Sequence, residues 1–85
     1  MKRLLVIDDE LGTRQSLKAI FSATYEVLTA QSADEARALL NKEHVDLILL
    51  DVSMPGQDGL SFLKDVRATY GELPVIMVSA MTSVR

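Results

Sequence analysis

Apolar residues along this chain follow two rhythms. Short runs dominated by apolar residues cover Leu4 to Ile7, Glu26 to Ala30, Asp46 to Leu50 and Pro74 to Ser79. Such runs, rich in β-branched residues, suit strands covered on both faces. Between them, apolar residues recur at helical spacing. Thr13 to Ala23 places Leu17, Ile20 and Phe21 on one stripe, with Arg14, Gln15 and Lys18 on other faces. The segment "SADEARALLNKE" opens on Ser32 with Glu35 three positions later, a capping box, and carries Ala33, Ala36, Leu39 and Leu40 as its stripe. Asp58 to Tyr70 predicts a third helix with Leu60, Leu63 and Val66 facing inward. Gly71 is its expected stop through a left-handed backbone. Pro74 falls at the start of the fourth strand, where a missing N–H is tolerated. Strands and helices therefore alternate, which demands an α/β fold: a doubly wound parallel sheet with right-handed crossovers and helices on both faces.

Composition narrows the function classes. The chain has 85 residues, which allows one small domain over 1–85. It has no cysteine, which excludes a disulfide framework and any thiolate metal site. No apolar run approaches the roughly 20 residues of a membrane span. In "MKRLLVIDDE" the acids Asp8 and Asp9 cut the apolar stretch too short for a signal peptide, so a cytoplasmic protein is expected. The net charge is −3 and the basic residues are scattered, which does not describe a nucleic-acid surface.

In a parallel sheet the carboxyl ends of all strands share one edge, where doubly wound folds bind ligands. Asp8 and Asp9 end the first strand, Asp51 the third and Ser79 the fourth. Three carboxylates brought together repel one another, and desolvation adds to the cost. A hard cation such as Mg2+, which takes oxygen ligands, relieves both. Each residue also has an ordinary reading. Asp8-Asp9-Glu10 suits a helix N-terminus, Asp51 suits the approach to a turn, and Ser79 is a common strand-end residue. Asp58 reads as a helix start and Pro55-Gly56 as turn chemistry. His44 reads as the C-terminal end of the second helix, and Met54, Met77 and Met81 as packing residues.

Together, "VIDDE", "LILLDVSMPGQDGL" and "PVIMVSA" resemble the receiver domain of two-component response regulators over the whole chain. The resemblance implies a flavodoxin-like fold with strand order 2-1-3-4. It implies that Asp51 accepts a phosphoryl group from the phosphohistidine of a sensor histidine kinase, with Mg2+ as cofactor. Asp9 and Asp51 would ligate the metal directly, Asp8 through water, and Ser53 through its backbone carbonyl. Ser79 would be the switch hydroxyl that turns toward the phosphoryl group. No activity beyond self-phosphorylation and autodephosphorylation is implied.

Family domains are about a third longer. The fifth strand and last two helices, with the phosphate-binding lysine and aromatic switch residue, are expected to be missing from a truncated domain here. Lys2 and Arg3 lie roughly 16–20 Å from the acids, at the wrong edge. Lys64 lies inside the third helix, and nothing in the sequence aims Arg14 or Arg85 at Asp51. The fourth strand would then have a bare apolar edge, an invitation to self-association. The alternative function is a receiver-shaped interaction module that cannot be phosphorylated or cannot switch. A haloacid-dehalogenase-like phosphatase is disfavoured because Ser53 stands where that mechanism needs a second Asp. A dinucleotide-binding protein is disfavoured because no G-x-G-x-x-G follows the first strand.

Overall fold

The first strand is sealed on both sides, as its uninterrupted apolar run requires. In the computed structural model, which describes residues 1–51 and 59–78, the elements are β1 (Arg3–Ile7), α1 (Leu11–Phe21), β2 (Glu26–Ala30), α2 (Ala33–Lys42), β3 (Leu47–Asp51), α3 (Gly59–Thr69) and β4 (Val75–Val78). The strands form one parallel sheet in the order β2-β1-β3-β4. Alternate residues of β1 serve different cores. Leu5 and Ile7 join Ile48 and Leu50 under α2 and α3, with Ala33, Ala36, Leu40, Phe62 and Val66. Leu4 and Val6 join Val27 and Leu49 on the opposite face, against Leu17 and Phe21 of α1.

The two faces are unequally covered. Helix α1 has no fully buried residue, and Ile20, expected on its inner stripe, is 66% exposed. Leu17 and Phe21 supply that contact instead, with Tyr25 meeting Phe21 edge to face at 6.2 Å. In α3 the buried side chains are Phe62 and Val66, with Leu63 partly buried, while Leu60 is exposed. The inner stripe is thus rotated from the one expected, with Phe62 as its largest member in place of Leu60.

The element ends show what stops each helix. Ser32 caps α2 and its hydroxyl accepts the Glu35 N–H at 3.1 Å, whereas the Glu35 carboxylate reaches back to the Gln31 N–H at 2.9 Å. Helix α2 ends at Lys42, so His44 lies beyond it and bonds to Asp46 at 2.8 Å. Asp46 precedes β3 rather than opening it, and it accepts the Arg3 N–H at 2.8 Å. Gly71 does not take the left-handed backbone expected of it. The end of α3 is closed by the Leu73 N–H on the Tyr70 carbonyl and by the Arg67 guanidinium on the Leu73 carbonyl, at 2.7 and 2.6 Å. Pro74 needs no N–H of its own, and its carbonyl accepts the Ile48 N–H at 3.0 Å, which opens the β3–β4 ladder.

Arg3 marks the amino edge of the sheet. It pairs with Glu43 at 2.9 Å and Glu26 at 3.2 Å, which commits it away from the carboxyl edge. No helix among the described residues is long and apolar enough to cross a membrane.

Candidate metal centre and phosphoacceptor site

The acids of two strands meet at the carboxyl edge of the sheet. Strands β1 and β3 are adjacent and parallel, with Ile7 opposite Leu50. The residues that follow this pair, Asp8 and Asp51, therefore emerge side by side. Asp8, Asp9 and Asp51 each offer a carboxylate oxygen, and these atoms lie within 4.8 Å of one another. Asp8 and Asp51 are buried, whereas Asp9 is exposed. Ser53, Ser79, Asp58 and the Met54-Pro55-Gly56 turn lie outside the described residues, as do Met81 and Arg85.

The turn carrying the acid pair is held by short bonds. The Asp8 N–H donates to the Ala30 carbonyl at 3.1 Å, which extends the β1–β2 pairing by one step. Asp8 Oδ1 accepts the Glu10 N–H at 2.9 Å. Glu10 is the N-cap of α1, but its side chain accepts the Thr13 hydroxyl at 2.6 Å and leaves the helix N–H groups alone. The ordinary reading of this acidic run as helix-start residues is thus met only by position, since the first turn of α1 contains no acid. Arg14, which nothing in the sequence aimed, donates from Nη1 to the Asp8 carbonyl at 2.8 Å. The available signal was its position near the start of a helix, where the dipole disfavours a cation.

Burial pushes the Asp8 carboxyl above its ordinary value of 3.8; the Glu10 N–H opposes this, and the charges of Asp51, Asp9 and Glu10 add to the rise. The native carboxyl therefore holds its proton more tightly than the unfolded chain does. Stability falls as pH rises from 3.8 through the raised native value, and the loss persists at neutral pH. In protein freed of divalent ions, Asp8→Asn should raise Tm at pH 7 by a few degrees and flatten its dependence on pH across that window. Asn keeps the acceptor for Glu10 and removes the charge. Thermal melts in a chelator check this, and a lower Tm for Asp8→Asn would contradict it.

The donor set fits a hard divalent cation. It consists of carboxylate oxygens from adjacent strand ends, two of them on buried residues, with mutual repulsion that positive charge would relieve.

The sequence model of the response regulator receiver domain matches residues 4–85. The chain belongs to that family. Among curated relatives, this receiver domain is 44% identical over 79 residues to the hydrogenase transcriptional regulatory protein HoxA of Cupriavidus necator, covering 93% of this chain and 16% of HoxA. It is 45% identical over 83 residues to a protein-glutamate methylesterase/protein-glutamine glutaminase of Trichodesmium erythraeum, covering 94% of this chain and 24% of that protein. Among solved structures it resembles response regulator TrrA of Thermotoga maritima, in complex with Mg2+ and BeF, at TM-score 0.87 and 35% identity. That match covers 96% of this chain and 72% of TrrA. The receiver domain thus spans about a quarter or less of these two curated relatives.

Proposed function

We propose that residues 1–85 act as a phosphoacceptor, with Asp51 taking a phosphoryl group from the phosphohistidine of a sensor histidine kinase in a two-component pathway of the cytoplasm. The observation that carries this reading is the meeting of Asp8, Asp9 and Asp51 at one sheet edge in a receiver-domain chain. TrrA, a structural neighbour solved with Mg2+ and BeF, supports the same cation here.

An Asp51 oxygen forms a bond to phosphorus as the P–N bond of the donor breaks. The bonding pair stays on the imidazole nitrogen, which takes up a proton. Phosphoryl transfer asks little covalent work of a protein beyond an in-line nucleophile and stabilisation of charge. The β1–β3 pairing positions the nucleophile, and the low exposure of Asp51 limits competition from water. Asp9 and Asp51 would hold Mg2+ directly, Asp8 through water, with the Ser53 carbonyl as a further ligand. When bound, Mg2+ supplies positive charge to the phosphoryl oxygens. The Ser79 hydroxyl would donate to the new phosphoryl group, a contact made in only one state, which is what shifts a two-state equilibrium.

The test is incubation with Mg2+ and acetyl phosphate. An acid-stable, base-labile adduct on Asp51, mapped by mass spectrometry and absent in a chelator, is expected. No adduct, or one on another residue, would sink the assignment.

The outer edge of β4 supports self-association with a second copy of the chain. Among the described residues β4 pairs only with β3, and Ile76, Met77 and Val78 are exposed and uncharged. A two-fold axis beside such a strand pairs it antiparallel with its own copy, a closed and self-complementary contact. Sedimentation should show a concentration-dependent dimer that Ile76→Lys disperses. A monomer at every concentration would exclude it.

A further inference from the structure

Arg14 stands where helix electrostatics disfavours it. It is the fourth residue of α1, close to the positive end of the helix dipole. Among the described residues it makes no ion pair with a carboxylate. What it has is a grip on the turn before it. Its own N–H donates to the Glu10 carbonyl at 3.1 Å, and its guanidinium donates to the Asp8 carbonyl at 2.8 Å. One residue therefore bonds both ends of the three-residue turn Asp8-Asp9-Glu10.

The rest of that turn has few other supports. Asp8 is fixed from β2 by Ala30, and Glu10 is fixed to Asp8 Oδ1. Asp9 lies between these two fixed residues, and its exposed side chain has no hydrogen-bond partner among the described residues. The Thr13 hydroxyl draws the Glu10 carboxylate back toward the helix and away from the three clustered acids. Helix α1 lacks a fully buried residue, so core packing alone holds its first turn weakly against β1.

We propose that Arg14 is a positioning residue, tying the start of α1 to the Asp8 carbonyl so that Asp8 and Asp9 are held ready beside Asp51 for the cation. This rests on the phosphoacceptor reading above. Because the acceptor is a carbonyl, the role needs a donor of the right reach rather than a charge at the carboxylates. Outer contacts that orient metal ligands typically change affinity about 10–100-fold when removed.

The experiment compares wild type with Arg14→Ala, Arg14→Lys and Lys18→Ala. Lys18 is exposed on the same helix and its removal changes net charge by the same amount. Mg2+ affinity is read by calorimetry, labelling by acetyl phosphate is followed across Mg2+ concentrations, and exchange of the Glu10 amide is read by NMR in metal-free protein. Arg14→Ala should weaken Mg2+ binding at least about tenfold. It should also speed Glu10 exchange and recover wild-type labelling at saturating Mg2+. Arg14→Lys should recover much of the affinity, and Lys18→Ala should match wild type. Wild-type Mg2+ affinity and Glu10 exchange in Arg14→Ala would overturn this proposal alone. Labelling lost even at saturating Mg2+ would also overturn it, by pointing to direct contact with the phosphoryl group. Wild-type protein that binds no Mg2+ would overturn the phosphoacceptor reading and this proposal together.

Discussion

Asp51→Asn protein incubated with Mg2+ and acetyl phosphate takes up less than about 1% of the phosphoryl label of wild type, a loss of the size expected when a nucleophile acting as a unit with its site is removed. The carboxamide has the shape of the carboxylate but lacks its nucleophilic charge. No neighbouring acid is equally placed. One Asp8 oxygen is engaged by the Glu10 N–H. Asp9 lies at the exposed side of the cluster, where water competes. The variant keeps the strand and should keep the fold, since the substitution adds no volume and removes one of three mutually repelling charges. Intact-mass measurement reads the adduct and circular dichroism reads the fold. A folded Asp51→Asn protein labelled as well as wild type would move the acceptor elsewhere.

Phe62→Ala should be the most damaging core substitution, costing about 3–5 kcal/mol. A chain of 85 residues has a total stability of about 4–13 kcal/mol. The loss is therefore a large fraction of the total, and the denaturation midpoint should fall steeply. Phe62 is 1% exposed and joins the α2–α3 core to strand residues of β1 and β3. Its ring also carries the Arg37 guanidinium 5.4 Å from its centroid, and Arg37 in turn bonds Asp65 of α3 at 2.6 Å. Removing the ring enlarges a cleft of about 280 Å³ that Phe62 already lines with Leu40 and Val66. Urea denaturation measures the effect, with Ile20→Ala as comparison. At 66% exposure Ile20 should cost well under 1 kcal/mol. Equal losses for the two would mean that the core is not distributed as described.

Much of this architecture was legible in the sequence because continuous apolar runs and helical stripes carry different periods. The strand runs located β1 to β4, with boundaries shifted by a residue or so, and strand order followed from the resemblance. The acid cluster was legible for a topological reason. Parallel strands end at one edge, so residues 43 positions apart could be placed together, and Asp8 and Asp51 do meet. Helix faces were less legible. Leu63 and Val66 face the core as expected, but Leu60, which also satisfied the spacing rule, is exposed, because the rotation of α3 on the sheet decides which stripe is buried and depends on neighbours distant in sequence. Ile20 failed for a related reason, since α1 leans on the sheet through Leu17 and Phe21. The position of Arg14 near a helix start marked it as unusual, but its grip on a carbonyl six residues back was not legible, because periodicity does not report side chains that bond to backbone.

The thin seating of α1 sets an order of events on warming. Free energy of opening varies across a fold, and elements with few buried apolar groups fray first. Helices α2 and α3 each bury several residues, whereas α1 buries none completely. Of the three described helices, the one that bonds the acid-bearing turn is therefore the one expected to come loose first, and the acids at the sheet edge would lose their fixed spacing while most of the sheet still stands.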